Sequence, residues 1–231
     1  MKKLNQLVLG LLAIVFCFST ASCNSDDNSD SSTTFMAFVT YAASNPEGSV
    51  FTCRENLDNP LVTFTSTISL KADTYTIGKR YIIAYSNLSN IRYQSGAIDL
   101  MAIMEVFNGK VETADVKAVA DLTSTPIDVT LLQREGTYIN IEATAPIQKE
   151  AKQFGLYVID ETKDDEIPQV YVGFQSDNTG GYNRTFYGSI SIAELWNKPG
   201  CKGINVHFQN NGIKKEIYFE RTTNLDPTPF E

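Results

Sequence analysis

Few residues in this chain have the chemistry of a reaction centre. His207 is the sole histidine. Strand alternation puts it on the polar side of its segment with Asn205 and Gln209, opposite Val206 and Phe208. A catalytic histidine needs a positioned nucleophile and an orienting group, and no neighbouring motif supplies them, so the expectation is a surface histidine. Cys53 lies beside Phe51 and Arg54, and a Cys–His pair would have to recruit His207 from across the chain. The acids Asp160, Glu161, Asp164, Asp165 and Glu166 could offer oxygens to Ca²⁺ or a carboxylate pair for glycoside chemistry. They lack the spacing and bend-forming glycine of a calcium loop, which leaves a solvated hairpin tip. The glycines of Asn178-Thr179-Gly180-Gly181 mark a turn and do not open a helix after a strand, as a phosphate cradle would. No catalytic residue, metal site or cofactor is expected. Tyr171, Tyr182, Tyr187 and Tyr218 include several aromatics at outward positions. Tyr171, Tyr182 and Tyr187 are the candidate ligand surface, suited to stacking on a glycan or anchoring a protein.

Stepping toward the N-terminus, Lys2 and Lys3 precede an apolar run, Leu7 to Phe18, of about a dozen residues, short of the ~20 that span a bilayer as a helix. Small residues follow, Ser19-Thr20-Ala21-Ser22, and then Cys23. The segment reads as a secretory signal, and the junction resembles a bacterial lipobox, in which cleavage precedes a lipid-modified cysteine. Cys23 is therefore the expected lipidation site; Thr20 departs from the usual Leu. The stretch from Asn24 to Thr34 has no apolar residue to bury and reads as an acidic linker. Asp26 and Asp27 stand where Bacteroidetes lipoproteins carry an export signal for the outer leaflet. The expected location is the outer membrane, lipid-anchored and facing outward.

The formal charge is −8 over 231 residues, and loss of Lys2 and Lys3 with the signal takes it to −10. A net negative surface repels phosphate backbones, so nucleic acid is not an expected partner. Beyond the signal and the anchor, two cysteines remain, Cys53 and Cys201, too few for a disulfide framework; two free thiols are expected.

The body reads as all-β. Short runs rich in Val, Ile, Phe, Tyr and Thr are punctuated by Gly, Asn, Asp and Pro. Five precede position 115: Phe35–Ala42, Ser49–Glu55, Leu61–Ile68, Lys79–Tyr85 and Ile98–Phe107. The last is apolar on both faces, which predicts burial on both sides. Asn108-Gly109 predicts a tight turn after it, and 115–125 a short helix. Seven more follow: Ile127–Gln133, Thr137–Ala143, Phe154–Asp160, Gln169–Gln175, Phe186–Ile190, Gly203–Gln209 and Ile213–Glu220. Ser191 and Glu194 have capping-box spacing for a helical turn, through Trp196, which reads as a core residue. Asn210-Asn211-Gly212 predicts a hairpin, with Ile213, Ile217 and Phe219 inward. The expected layout is a signal over 1–22, a lipidated cysteine and linker over 23–34, a barrel over 35–115, a β-sandwich over 116–223 and a loose tail over 224–231.

This layout, with the segments Tyr75-Thr76-Ile77-Gly78-Lys79-Arg80-Tyr81-Ile82-Ile83-Ala84-Tyr85 and Tyr187-Gly188-Ser189-Ile190-Ser191-Ile192-Ala193-Glu194-Leu195, resembles the NigD-like lipoproteins of Bacteroidetes. The resemblance implies an N-terminal five-stranded OB-like barrel and a C-terminal seven-stranded β-sandwich, and carries over no catalytic residue. The expected function is a non-catalytic, lipid-anchored binding or interaction protein of the envelope. A bacteriocin-associated or envelope-stress role is the alternative, and a carbohydrate-active hydrolase a more distant one.

Overall fold

The computed structural model describes residues 33–55, 59–125, 127–147, 151–176 and 182–221. Cys23, Asp26 and Asp27 lie outside these residues, as do the glycine turn at 178–181 and the tail.

Five strands close into a barrel: β1 (Phe35–Asn45), β2 (Gly48–Cys53), β3 (Val62–Ser66), β4 (Arg80–Ser86) and β5 (Gly96–Glu105). Their order is β1-β2-β3-β5-β4, with β3 and β5 parallel and the other neighbours antiparallel. This is the Greek-key connectivity of an OB-like barrel. Alternation fills the interior with Val39, Tyr41, Phe51, Phe64, Tyr81, Ile83 and Tyr85, all essentially inaccessible to solvent. One mouth is closed by the loop at 67–79, which packs Leu70 and Tyr75 on that core. Gly48 makes the closure possible. Its φ is +141°, and a Cβ there would sit 1.7 Å from the Ser66 carbonyl oxygen.

Nine strands make the second half: β6 (Phe107–Lys110), β7 (Glu112–Ala114), β8 (Asp128–Glu135), β9 (Tyr138–Ile147), β10 (Ala151–Ile159), β11 (Gln169–Ser176), β12 (Tyr182–Ser191), β13 (Gly203–Asn210) and β14 (Ile213–Glu220). They form one sheet ordered β6-β12-β9-β8 and another ordered β14-β13-β11-β10-β7. The sheets share one core, with Ile139, Ile141 and Ile190 from the first against Leu156, Val170, Phe174, Ile204 and Val206 from the second. Trp196 is fully buried in it, with the Arg134 guanidinium 4.0 Å above its ring, a cation–π contact. Asn211 and Gly212 both have positive φ, as a type I′ turn between β13 and β14 requires. Helix α1 (Val116–Leu122) is capped by Asp115, whose carboxylate accepts from the Ala118 amide at 2.7 Å.

Several expectations are corrected. The second half has nine strands rather than seven, because β6 and β7 add short parallel pairs to β12 and β10. Sheet membership therefore changes at Val106–Phe107, ahead of the boundary expected at 115. Asn108-Gly109 is not a turn but part of β6; the Asn108 amide is held by the Arg80 backbone, accepting from its N–H and donating to its carbonyl, both at 3.0 Å. β5 is not covered on both faces. β3 accompanies it only over Gly96–Ile98, and Met101 and Met104 are exposed. The capping box does not form: Ser191 ends β12, while Glu194 pairs with Lys110 at 2.7 Å. Within the last hairpin, Ile217 and Phe219 sit opposite Val206 and Ile204, but Ile213 falls opposite Asn210 and is exposed.

Candidate functional site: a cleft between barrel and sandwich

The outer face of β1 and β4 meets the outer face of the β12-β9-β8 sheet. Because Val39, Tyr41, Tyr81 and Ile83 point into the barrel, alternation turns Met36, Phe38, Thr40, Arg80, Ile82 and Ala84 outward, and these pair as Thr40 with Arg80, Phe38 with Ile82 and Met36 with Ala84. On the sheet, the inward set Ile139, Ile141, Phe186 and Ile190 turns Asn140, Glu142, Tyr187 and Ser189 toward the barrel. The interface runs from a buried polar end to an open one.

At the polar end Arg80 is 2% exposed, and all five of its guanidinium hydrogens find acceptors. Nε donates to Ser189 Oγ at 3.0 Å, Nη1 to Thr40 Oγ1 at 3.1 Å and Glu135 Oε1 at 3.2 Å, and Nη2 to Asn140 Oδ1 at 3.1 Å and Glu135 Oε2. Glu135 also accepts from the Arg54 amide at 2.9 Å and from Asn140 Nδ2 at 3.1 Å. A buried charge pair is tolerated when every donor and acceptor is satisfied, and here the network joins the two halves of the molecule. A middle row packs Phe38 and Ile82 with Val106 and Tyr187; the Phe38 and Tyr187 rings meet edge-on at 6.4 Å.

Beyond this row the surfaces part into a cleft of about 300 Å³, lined from the barrel by Met36, Phe38, Ile82, Glu55, Arg92 and Tyr93 and from the sheet by Leu131, Gln133, Glu142 and Tyr187. The volume stands at the small end of ligand sites. Arg92 is positioned by the Met36 carbonyl at 2.8 Å and by the Tyr93 ring at 4.9 Å. Glu142 is held by Thr130 Oγ1 at 3.1 Å. Burial pushes the Tyr187 phenol above its ordinary pKa and Glu142 adds to the effect, while burial pushes Tyr93 up to about 12. An aromatic and aliphatic floor is thus edged by one guanidinium, two carboxylates and a carboxamide. Such a set can stack on an apolar ring face and hydrogen-bond its polar substituents.

The tyrosines expected to share a surface are apart. Tyr187 lines the cleft. Tyr171, on the outer face of the other sheet, stacks on His207 at 4.5 Å. Tyr182 stands exposed at the start of β12, where alternation gives it the opposite face from Tyr187. Tyr218 is also exposed and donates to the Lys202 carbonyl at 3.0 Å. His207 lies on the polar face as expected, bonded to Gln169 Oε1 at 2.8 Å with Glu216 3.5 Å away. Burial lowers its pKa and Glu216 works against that. Cys53 and Cys201 are buried and free. Desolvation, reinforced by Glu135, pushes the Cys53 thiol to about 12, so it stays protonated. In the acidic loop Asp160 pairs with Lys163, Asp164 with Lys198 and Glu166 with Lys202.

Sequence reasoning missed Arg80, Glu135, Asn140 and Ser189, and on the cleft edge Glu55, Arg92, Gln133 and Glu142. The run Lys79–Tyr85 did carry a signal: it is apolar on both faces, so both are covered, and an arginine in line with Ile82 must find a partner there.

No family model and no curated protein matches the chain. Solved structures do. A Bacteroides vulgatus protein of unknown function superposes with a TM-score of 0.63 at 15% identity, covering 86% of this chain and 96% of the other. A lipoprotein-like protein from Bacteroides fragilis gives 0.55 at 12% identity, over 83% and 100%. A NigD-like immunity protein from Bacteroides caccae gives 0.52 at 15% identity, over 82% and 98%. The chain shares their fold. Likeness to the NigD-like protein spans barrel and sandwich alike, as the resemblance of the two sequence segments implies.

Proposed function

We propose that the chain is a non-catalytic, lipid-anchored binding protein of the outer membrane, facing outward, which takes a small glycan segment in the barrel–sandwich cleft. The observation that carries the reading is the cleft's composition. Tyr187 offers a ring over an apolar floor of Phe38 and Ile82, and Gln133, Glu142, Glu55 and Arg92 offer the planar polar groups that fix hydroxyls. The protonated Cys53, the partnered His207 and the lysine-paired acids favour binding over catalysis. The net negative charge favours a neutral ligand over nucleic acid. The Cys23 junction and the acids Asp26 and Asp27 favour lipidation and export. The likeness to a NigD-like immunity protein favours a second reading, in which the same cleft grips a protein loop.

A glycan array probed with the chain lacking residues 1–23 tests the first reading. A hit weakened at least tenfold by Glu142→Ala and by Gln133→Ala supports it; binding that ignores both, or no binding at millimolar oligosaccharide, overturns it. Metabolic palmitate labelling that disappears in Cys23→Ala tests the anchor, and protease shaving of whole cells tests exposure.

A further inference from the structure

We infer that the loop between β4 and β5, together with Met101, seats the barrel on the lipid surface that holds the anchor. The inference rests on lipidation at Cys23. Thr33 is ten residues beyond that cysteine, a span of at most about 36 Å. The described chain begins against this loop: the Thr33 amide donates to Asn90 Oδ1 at 3.2 Å, and Thr34 Oγ1 contacts Met101 Sδ at 3.5 Å. Around that point stand Leu88, fully exposed, Ile91, 56% exposed, and Met101, 60% exposed. Scattered apolar residues on a surface are ordinary; three gathered where the tether arrives are a patch with a partner in reach.

The loop presents them firmly. Asn87 Oδ1 accepts from Ser89 Oγ at 2.9 Å and from the Ile91 amide at 3.3 Å, and Asn87 Nδ2 donates to the Ile91 carbonyl at 2.8 Å. Asn90, with φ of 53°, closes the turn. The knot satisfies the backbone and leaves Leu88 at the tip. Between positions 87 and 101 the only charged residues are Arg92 and Asp99, and Arg92 is already drawn toward the Met36 carbonyl. The surface is therefore matched to an uncharged interface of headgroups and upper acyl chains rather than to a charged protein. The tether supplies the rest. Ten residues hold the loop at a high local concentration of lipid, so a contact too weak to recruit the free protein is populated once the protein is anchored.

The test replaces residues 1–23 with a His-tag bound to nickel-chelating vesicles of phosphatidylcholine and phosphatidylethanolamine, so it does not depend on lipidation. Leu88→Trp places a reporter at the tip; Lys214→Trp places one on the exposed edge strand β14; the buried Trp196 adds the same background to both and is removed by subtracting the signal of the parent protein. With spin-labelled lipid, the Leu88→Trp signal is expected to shift to the blue and to be quenched at least threefold more than that of Lys214→Trp. Adding Ile91→Asp and Met101→Asp is expected to abolish the difference. Equal quenching at the two sites, with tethering confirmed by sedimentation and folding by urea midpoints, overturns the docking. Wild-type protein that takes up no palmitate in cells would instead overturn the anchor reading, and with it the docking in cells, while leaving the loop's measured preference for lipid intact.

Discussion

Arg80 of the barrel and Glu135 of the sandwich form a buried, two-pronged ion pair across the interface, with the side chains only 2% and 8% exposed. Thr40, Asn140 and Ser189 complete the guanidinium's shell, so removing one partner leaves a desolvated charge with no counterion. Arg80→Met is expected to cost about 3–5 kcal/mol in urea unfolding. The double variant Arg80→Met, Glu135→Leu should recover much of that loss, because neither charge is then stranded. A double variant less stable than Arg80→Met alone would show that Glu135 stabilises through its bonds to the Arg54 amide and Asn140 even without its counterion.

Stability should fall at alkaline pH. The Cys53 thiol is raised in the folded protein from 9.0 to about 12, and the Tyr93 phenol from 10.0 to about 12. A raised folded pKa means that the unfolded chain loses its proton first. The contribution is thus complete below about pH 9 and is lost as pH climbs toward 12. Urea midpoints measured from pH 8 to 11 should decline, and Cys53→Val should flatten the onset near pH 9. In the native state at pH 8, the buried Cys53 and Cys201 should resist a disulfide reagent that reacts with both after unfolding.

Two tyrosines in the barrel core should respond oppositely to loss of their hydroxyls. Tyr81 Oη accepts from the Thr76 amide at 2.8 Å. Tyr41 Oη is buried without a hydrogen-bond partner among the described residues. Tyr81→Phe strands an amide and should destabilise by about 1–2 kcal/mol, whereas Tyr41→Phe relieves an unsatisfied group and should leave stability unchanged or raise it. Calorimetric melting temperatures of the two variants distinguish the cases.

Two glycines with positive φ should also part company. Gly48→Ala would press its Cβ into the Ser66 carbonyl, while at Gly78, with φ of +86°, nothing lies within 4 Å of the added carbon. Gly78→Ala should cost only the left-handed backbone penalty, about 1–2 kcal/mol. Gly48→Ala should cost clearly more and show as poor expression or a lost barrel transition.

Most of the strands were legible because one buried face per strand writes an alternating pattern. What the pattern could not supply was which outer faces meet. The two segments behind the family resemblance, Tyr75–Tyr85 and Tyr187–Leu195, turn out to touch: Arg80 in one donates to Ser189 in the other. Neither hints at the other in sequence, since a contact across 109 positions leaves no local periodicity. Glu135 was hidden for a different reason. It precedes Gly136 at a hairpin turn, where a carboxylate reads as solvated. Asn108-Gly109 misled because the local turn preference is real but the Asn108 amide binds the Arg80 backbone instead. The cleft was half legible: Tyr187 could be placed outward, but its neighbours Met36 and Arg92 come from strands and loops far upstream.

The buried ion pair bears on how a ligand arrives. With the two halves clasped at one end of their interface by Arg80 and Glu135, and Phe38 and Tyr187 packed beside that clasp, the opposite end is held at a set width. Ligand capture should then proceed in one step, with an observed rate that climbs linearly with ligand concentration and does not level off as it would if a slow opening motion came first.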